Sequence, residues 1–237
     1  MADEQNKTPL AGAAQSGAMD AFLQRARQGA VSAHRAGRGR LVFALDATMS
    51  RQPTWDLAQS IQGEMFETTK AQGGLDVQLV YFRGFGECRA SHFVSGGEGL
   101  GALMGQITCR GGRTQIAKVL RHTRDETKAR PVGALIYIGD AMEENPDDLT
   151  AMAGELGLLG VKAFMFQEGG DAGAESVFRE IARLTGGAHV AFDAGAPKRL
   201  KELLAAAAAY AVGGRQELER RAGEGEAAAR LLLARIG

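Results

Sequence analysis

Five short, almost wholly apolar runs separated by helical patterns are the feature that most constrains the fold of this chain. The runs cover residues 41–45, 77–82, 132–138, 161–166 and 188–192. Runs of this length without polar alternation are typical of strands buried on both faces, as in a parallel sheet covered by helices. Apolar residues in the intervening segments recur every three or four positions, which is typical of amphipathic helices. The alternation predicts an open, doubly wound, mostly parallel α/β sheet with helices on both faces.

The remaining segments complete the predicted organisation. Residues 88–94 are less apolar and predict a sixth strand, antiparallel at the edge of the sheet. Residues 1–40 are interpreted as an N-terminal extension, partly disordered with a short helix, and residues 41–212 as one domain. Gly213-Gly214 is expected to end a helix. Residues 213–237 then form a C-terminal helical tail whose leucines should be at least partly covered.

Composition excludes several classes of function and sets the expected location. The 28 basic and 28 acidic residues balance, so no overall charge favours nucleic acid or an anionic membrane. No apolar run reaches the roughly 18 residues of a membrane-spanning helix. The start, MADEQNKTPL, carries acids where a signal peptide needs basic residues, which predicts cytoplasmic residence. Cys88 and Cys109 lie far apart without metal-ligand spacing and are interpreted as reduced thiols.

Oxygen-bearing side chains follow three of the predicted strand ends and turns. Asp46, Thr48 and Ser50 come directly after the first strand, Thr114 follows a Gly-Gly-Arg turn, and Asp140 comes two positions after the run at 132–138. Ligands of open α/β sheets bind at the carboxyl ends of strands. Any one of these residues could be a turn residue or a helix cap. Together they present two carboxylates and three hydroxyls, the hard oxygen donors that suit Mg²⁺, with Mn²⁺ as the alternative.

This pattern resembles the metal-ion-dependent adhesion site of von Willebrand factor A (VWA) domains, in particular the intracellular bacterial members. The resemblance covers about residues 41–212 and implies the Rossmann-like VWA fold. It also implies the role of each ligand: direct coordination by Thr48, Ser50 and Thr114, and mainly water-mediated contacts from Asp46 and Asp140.

Two positions depart from the usual family pattern. Thr48 stands where the family usually has a serine, and it keeps the hydroxyl. Ala141 follows Asp140 where many members have glycine, which affects only the expected shape of the local turn.

The resemblance implies a metal-dependent protein-interaction module in which a partner's Asp or Glu carboxylate completes the ion's coordination. Two alternatives remain: a scaffold with a vestigial metal site, and a Mg²⁺-dependent phosphohydrolase. A haloacid-dehalogenase-type phosphatase needs a second aspartate where Thr48 stands. Neither a GxxxxGK[ST] phosphate loop nor a GxGxxG turn after the first strand is present. We therefore predict no enzyme activity and assign no catalytic or organic-cofactor residue.

The expected partner is a protein, within an ATPase or chaperone assembly by family analogy, and neither nucleic acid nor a membrane. The sequence does not determine the oligomeric state. Arg51, Arg113 and Trp55 are candidate interface anchors on the rim of the site. Alternatively, Trp55 packs on the domain and the two arginines are solvated. Glu143 and Glu144 could form an acidic lip beside the ion or be exposed loop charges.

Overall fold

The computed structural model describes residues 38–193 and 195–237, and within them six strands form one sheet in the order β3-β2-β1-β4-β5-β6. Only the β2–β3 pair is antiparallel. The predicted doubly wound sheet with one antiparallel edge strand is thereby confirmed. Expectations for residues 1–37 lie outside the described residues. The strands are β1 (Gly39–Asp46), β2 (Leu75–Arg83), β3 (Glu87–Val94), β4 (Ala134–Gly139), β5 (Lys162–Glu168) and β6 (Ala188–Phe192).

Eight α-helices surround the sheet in the described part of the chain. Two of them, α1 and α2, meet at Gln62. The helix at 97–105 was not predicted, because its four glycines obscure the apolar spacing. The helices are α1 (Gln52–Ile61), α2 (Gly63–Thr69), α3 (Gly97–Gly105), α4 (Ile116–Ala129), α5 (Pro146–Leu158), α6 (Ala172–Thr185), α7 (Pro197–Gly223) and α8 (Ala227–Leu233).

The helices cover both faces of the sheet, as the buried strands require. On β1, Leu41, Phe43 and Leu45 join a core with α1, α2, α3, α7 and α8. Val42 and Ala44, which point the other way, pack with α4, α5 and α6. Successive side chains of a strand point to opposite faces of the sheet. Because helices cover both faces of β1, the side chains on both faces are apolar and the strand is a continuous apolar run. The carboxyl ends of the parallel strands remain free of helices and carry the candidate site.

Gly213-Gly214 separates two helical segments, as the sequence predicted. The assigned span of α7 runs to Gly223, but Gly214 has φ 63° and ψ −156°, non-helical values that favour glycine, so the helical backbone is interrupted there. The chain therefore bends at Gly214 and returns along the domain.

The residues after the kink pack on the same core as the sheet. Leu232 is completely buried, and its two leucine neighbours are partly buried against that core. Arg221 and Glu217 form a buried ion pair, with Arg221 Nε 2.8 Å from Glu217 Oε1. Arg221 Nη2 also donates to Thr68 O at 2.8 Å. The C-terminal segment is thus held on the domain by apolar contacts with the core and by the hydrogen bond from Arg221 to Thr68 in α2.

Two further features follow from burial and helix length. Cys88 and Cys109 are free cysteines, and burial raises the pKa of each thiol to about 11. Among residues 38–193 and 195–237, no helix combines the length and the apolar character needed to cross a bilayer.

Candidate metal centre

Three of the five predicted ligands share the turn that follows β1. Asp46 is 4% exposed, and its Oδ1 accepts a hydrogen bond from the Thr48 backbone N at 2.7 Å. The chain then enters a short 3₁₀ helix at Met49–Arg51. Thr48 Oγ1 and Ser50 Oγ lie 3.5 Å apart. The turn therefore places one buried carboxylate and two neighbouring hydroxyls at the carboxyl edge of the sheet.

Thr114 reaches the same edge from the loop before α4 and is tied to the loop after β4. Thr114 Oγ1 accepts from Glu143 N at 3.0 Å, and Thr114 N donates to Glu143 Oε2 at 3.2 Å. Glu144 accepts from the backbone N atoms of Ile116 at 2.5 Å and Ala117 at 2.9 Å, which caps the start of α4. Both glutamates therefore join the two loops: Glu143 is an exposed loop charge beside Thr114, whereas Glu144 is partly buried at the start of α4.

The loop carrying Thr114 is also held against the ends of β1 and β2. Arg110 N donates to Ala47 O at 3.0 Å, and Arg113 N donates to Gly84 O at 3.1 Å. A side chain at Gly112 would place its Cβ 2.3 Å from the backbone N and O of Gly84, so glycine is required for this contact. Backbone hydrogen bonds from two strands thus set the position of Thr114.

The two aspartates interact electrostatically across the site. Burial raises the pKa of Asp46 to about 6, and the nearby charge of Asp140 adds to the rise. Hydrogen bonds from Thr48 and the charge of Arg51 act in the opposite direction. A desolvated carboxylate with a second carboxylate nearby favours either a proton or a cation at the site.

Arg51 supplies a positive charge inside this arrangement. Its Nε lies 3.3 Å from Asp140 Oδ2, and its Nη1 pairs with the carboxylate of Glu168 at the end of β5. Thr54 Oγ1 donates to the same carboxylate. The side chains of Arg51 and Glu168 are each 11% exposed. Arg51 is therefore a largely buried counter-ion of the acidic groups, neither an interface anchor on the rim nor a solvated charge.

The other two candidate anchors differ in their surroundings. Trp55 is 1% exposed, donates from Nε1 to Met104 O at 3.3 Å, and packs edge-on against Tyr81 at 6.2 Å between ring centroids. Its alternative interpretation as a packing residue is the correct one. Arg113 is exposed next to Thr114 and stays on the rim.

Sequence reasoning missed Glu168, although the rule used for Asp46 and Asp140 applies to it. Glu168 follows the apolar run of β5 at its carboxyl end. With Asp171 and Asp193 it lines an open cleft of about 730 Å³ next to Asp140. The candidate centre therefore lies at one side of a wider acidic depression.

The donor set fits a hard divalent cation. Within the described chain, no group of three or more His, Cys, Asp or Glu side chains is arranged to hold a metal ion. The candidate centre consists instead of two carboxylates and three hydroxyls, all of them oxygen donors. Such donors suit Mg²⁺ or Mn²⁺ better than metals that prefer thiolate or imidazole ligands.

Comparisons with known proteins identify the fold. No family model and no curated protein matches this sequence. Among solved structures, a von Willebrand factor type A protein from Catenulispora acidiphila aligns with TM-score 0.60 and 17% identity over 73% of this chain and 43% of its own. The SpRpn10 VWA domain aligns with TM-score 0.55 and 8% identity over 69% of this chain and 95% of its own.

A third structure is proximal thread matrix protein 1 from the mussel byssus, solved with zinc in its metal-ion-dependent adhesion site (MIDAS). It aligns with TM-score 0.54 and 14% identity over 73% of this chain and 48% of its own. This chain thus spans less than half the length of two of the three proteins. The similarity shows that it has the VWA fold.

Proposed function

We propose that this VWA-fold chain is a protein-interaction module that binds a partner carboxylate through a divalent metal ion. The observation that carries the proposal is the position of five oxygen-bearing side chains at one edge of the sheet. Two of them, Asp46 and Asp140, are carboxylates that repel each other, and a bound cation would offset this repulsion.

In this proposal, Thr48, Ser50 and Thr114 hold the ion directly, and Asp46 and Asp140 hold it mainly through water. A bound Mg²⁺, or Mn²⁺, supplies a hard positive charge with a ligand position that a carboxylate can fill. The protein's own contribution is to hold the five groups in place. The Asp46–Thr48 hydrogen bond and the Thr114–Glu143 pair perform that task.

The proposal is supported by the shared VWA fold and by one structural neighbour that carries zinc in its metal-ion-dependent adhesion site. We further propose that residues 41–212 form the interaction domain and residues 213–237 its helical extension. By family analogy, the setting is the bacterial cytoplasm, and the partner belongs to an ATPase or chaperone assembly. No catalytic residue is assigned in this proposal.

Thermal unfolding with and without metal tests the proposal. Ligands that bind only the folded state raise its melting temperature, and Mg²⁺ at a hundredfold excess over its Kd should raise it by about 5 °C or more. Asp46→Ala should abolish the rise. Asp148→Ala, at an exposed position of α5, is the matched control and should keep it.

The same experiment separates the alternatives. A wild-type protein that shows no shift with millimolar Mg²⁺ or Mn²⁺ would leave a scaffold with a vestigial site. Metal binding accompanied by release of phosphate from a general phosphatase substrate would instead indicate the phosphohydrolase.

A further inference from the structure

Large apolar side chains are exposed at the edge of the sheet that carries the candidate metal centre. In the described chain, three large hydrophobic residues are more than half exposed: Met49 at 64%, Phe85 at 85% and Leu158 at 51%. Met49 stands between the candidate ligands Thr48 and Ser50, and Phe85 is in the turn between β2 and β3. Only Leu158, at the end of α5, lies away from this face. Exposed apolar groups beside a polar centre are characteristic of interaction sites.

The turn carrying Phe85 is fastened to the segment carrying Thr114. Gln115 Nε2 donates to Arg83 O at 3.2 Å and to Glu87 O at 3.3 Å, one on each side of the turn. Lys118 Nζ donates to Gly86 O at 2.8 Å. The backbone beside the exposed ring is therefore held in place next to a candidate metal ligand. An aromatic side chain on such a backbone has only two side-chain torsions to order when a partner covers it.

Two exposed arginines stand on the same rim. Arg110 and Arg113 flank the Gly-Gly turn before Thr114, and their backbone N atoms are anchored to Ala47 and Gly84. Neither guanidinium has an ion-pair partner among the residues that the structure describes. The rim therefore combines a metal centre, two apolar side chains and two positive charges available to a partner.

We infer that the partner is a protein segment in which the metal-binding Asp or Glu is flanked by an apolar residue and accompanied by a second acidic residue. This inference rests on the proposed metal-dependent function. The apolar residue packs on Phe85 and Met49, and the second carboxylate pairs with Arg110 or Arg113. Burial of the apolar side chain and a charge-assisted hydrogen bond add affinity and select among acidic segments.

The charges on this face favour a protein over an anionic membrane. The exposed Glu143 lies on the same edge as the exposed Arg110 and Arg113, so this face is mixed in charge and lacks the cluster of basic residues that binds anionic lipid. A peptide presents its carboxylates one at a time and can align them with the metal and the arginines. A second copy of the chain remains a competing occupant that the experiment distinguishes.

The test is selection from a bead-bound peptide library with a fixed central aspartate and randomised flanking positions, using the fluorescently labelled full chain in Mg²⁺. Wild type should enrich an apolar residue next to the aspartate and a second acid nearby. Phe85→Ser should lose the apolar preference and bind the best peptide about tenfold more weakly. Leu158→Ser, the matched control at a distant exposed residue, should behave like wild type. Arg113→Gln should reduce only the preference for the second acid.

The outcomes separate this inference from the function on which it rests. Metal-dependent selection of aspartate without apolar enrichment, equal for Phe85→Ser and wild type, would overturn the inference and leave the proposed function standing. Retention that is the same for Asp46→Ala or in chelator would contradict the metal-dependent function. Loss of binding to phosphatidylserine vesicles, or of concentration-dependent self-association, in Phe85→Ser would replace the peptide by a membrane or a second copy. Failure to select any peptide would overturn both proposals.

Discussion

Arg51 Nε lies 3.3 Å from Asp140 Oδ2, so a candidate metal ligand is already paired with a positive charge of the protein itself. The other side of the guanidinium pairs with Glu168, which also accepts a hydrogen bond from Thr54. A metal ion and Arg51 would therefore compete for the same carboxylate, that of Asp140. The arginine stabilises the acidic edge without metal, and its charge opposes the approach of a cation.

Arg51→Gln should accordingly bind Mg²⁺ about tenfold more tightly than wild type, equal to ~1.4 kcal/mol, because a repulsive charge beside the ion is removed. Without metal the same variant should lose about 2–4 kcal/mol of unfolding free energy, because the nearly buried Glu168 carboxylate loses its partner. Calorimetric titration measures the first effect, and urea unfolding in chelator measures the second.

Two variants make this prediction specific. Arg51→Gln combined with Glu168→Gln removes both charges and should recover most of the lost stability. Arg215→Gln breaks a pair whose side chains are 54% and 53% exposed and should change stability by less than about 0.5 kcal/mol. Unchanged or weaker Mg²⁺ binding by Arg51→Gln would contradict competition between the arginine and the ion.

The pKa of Asp46 predicts how stability depends on pH without metal. Burial raises that pKa from an ordinary 3.8 to about 6, so the folded state holds its proton over a range where the unfolded state has released it. The stabilisation is therefore present below pH 4, declines as pH rises to 6, and is absent above. Relative to Asp46→Asn, wild type should lose about 3 kcal/mol across this window. Urea unfolding in chelator at several pH values measures the difference, and parallel profiles for both proteins would contradict it.

The C-terminal segment offers a test of packing. Leu232 is completely buried against the core shared with β1, whereas Leu158 at the end of α5 is 51% exposed. Leu232→Ala should cost about 2–4 kcal/mol of unfolding free energy, because it removes apolar contacts and leaves a cavity. Leu158→Ala should change it by less than about 0.5 kcal/mol. Equal urea midpoints for the two variants would show that the segment adds little to the stability of the domain.

The strands and the ends of β1 and β4 were predictable because their determinants are local. A strand buried on both faces must be apolar throughout, and Asp46 and Asp140 follow such runs directly. The same local rule, applied to β5, would also have selected Glu168. What the sequence could not indicate was its partner, since Arg51 and Glu168 are separated by 117 positions.

The kink at Gly214 and the environment of the tryptophan depended on tertiary structure. A Gly-Gly pair usually ends a helix, and the helical backbone is interrupted at Gly214, but a second helical segment follows directly because the residues beyond it have a core to cover. Trp55 follows the site in sequence, yet its position on α1 turns it toward Met104 and Tyr81. Helical periodicity alone did not distinguish the rim from the core at that position.

The two adjacent glycines before Thr114 give a matched pair for testing whether loop position controls the metal centre. A Cβ at Gly112 would lie 2.3 Å from the backbone N and O of Gly84, whereas a Cβ at Gly111 would have no heavy atom within 4 Å. Because the clashing atoms belong to backbone, Gly112→Ala must move one of the two loops. The Arg113–Gly84 hydrogen bond would be strained, and Thr114 would shift with it.

Gly112→Ala should therefore weaken Mg²⁺ binding by about tenfold or more without changing any ligand, since small displacements of coordinating groups are costly for an ion that demands near-octahedral geometry. Gly111→Ala should bind Mg²⁺ like wild type. Calorimetric titration of both variants, after circular dichroism has established that each is folded, makes the comparison. Equal affinities would show that the position of Thr114 does not depend on the contact with Gly84 and that this contact does not control metal binding.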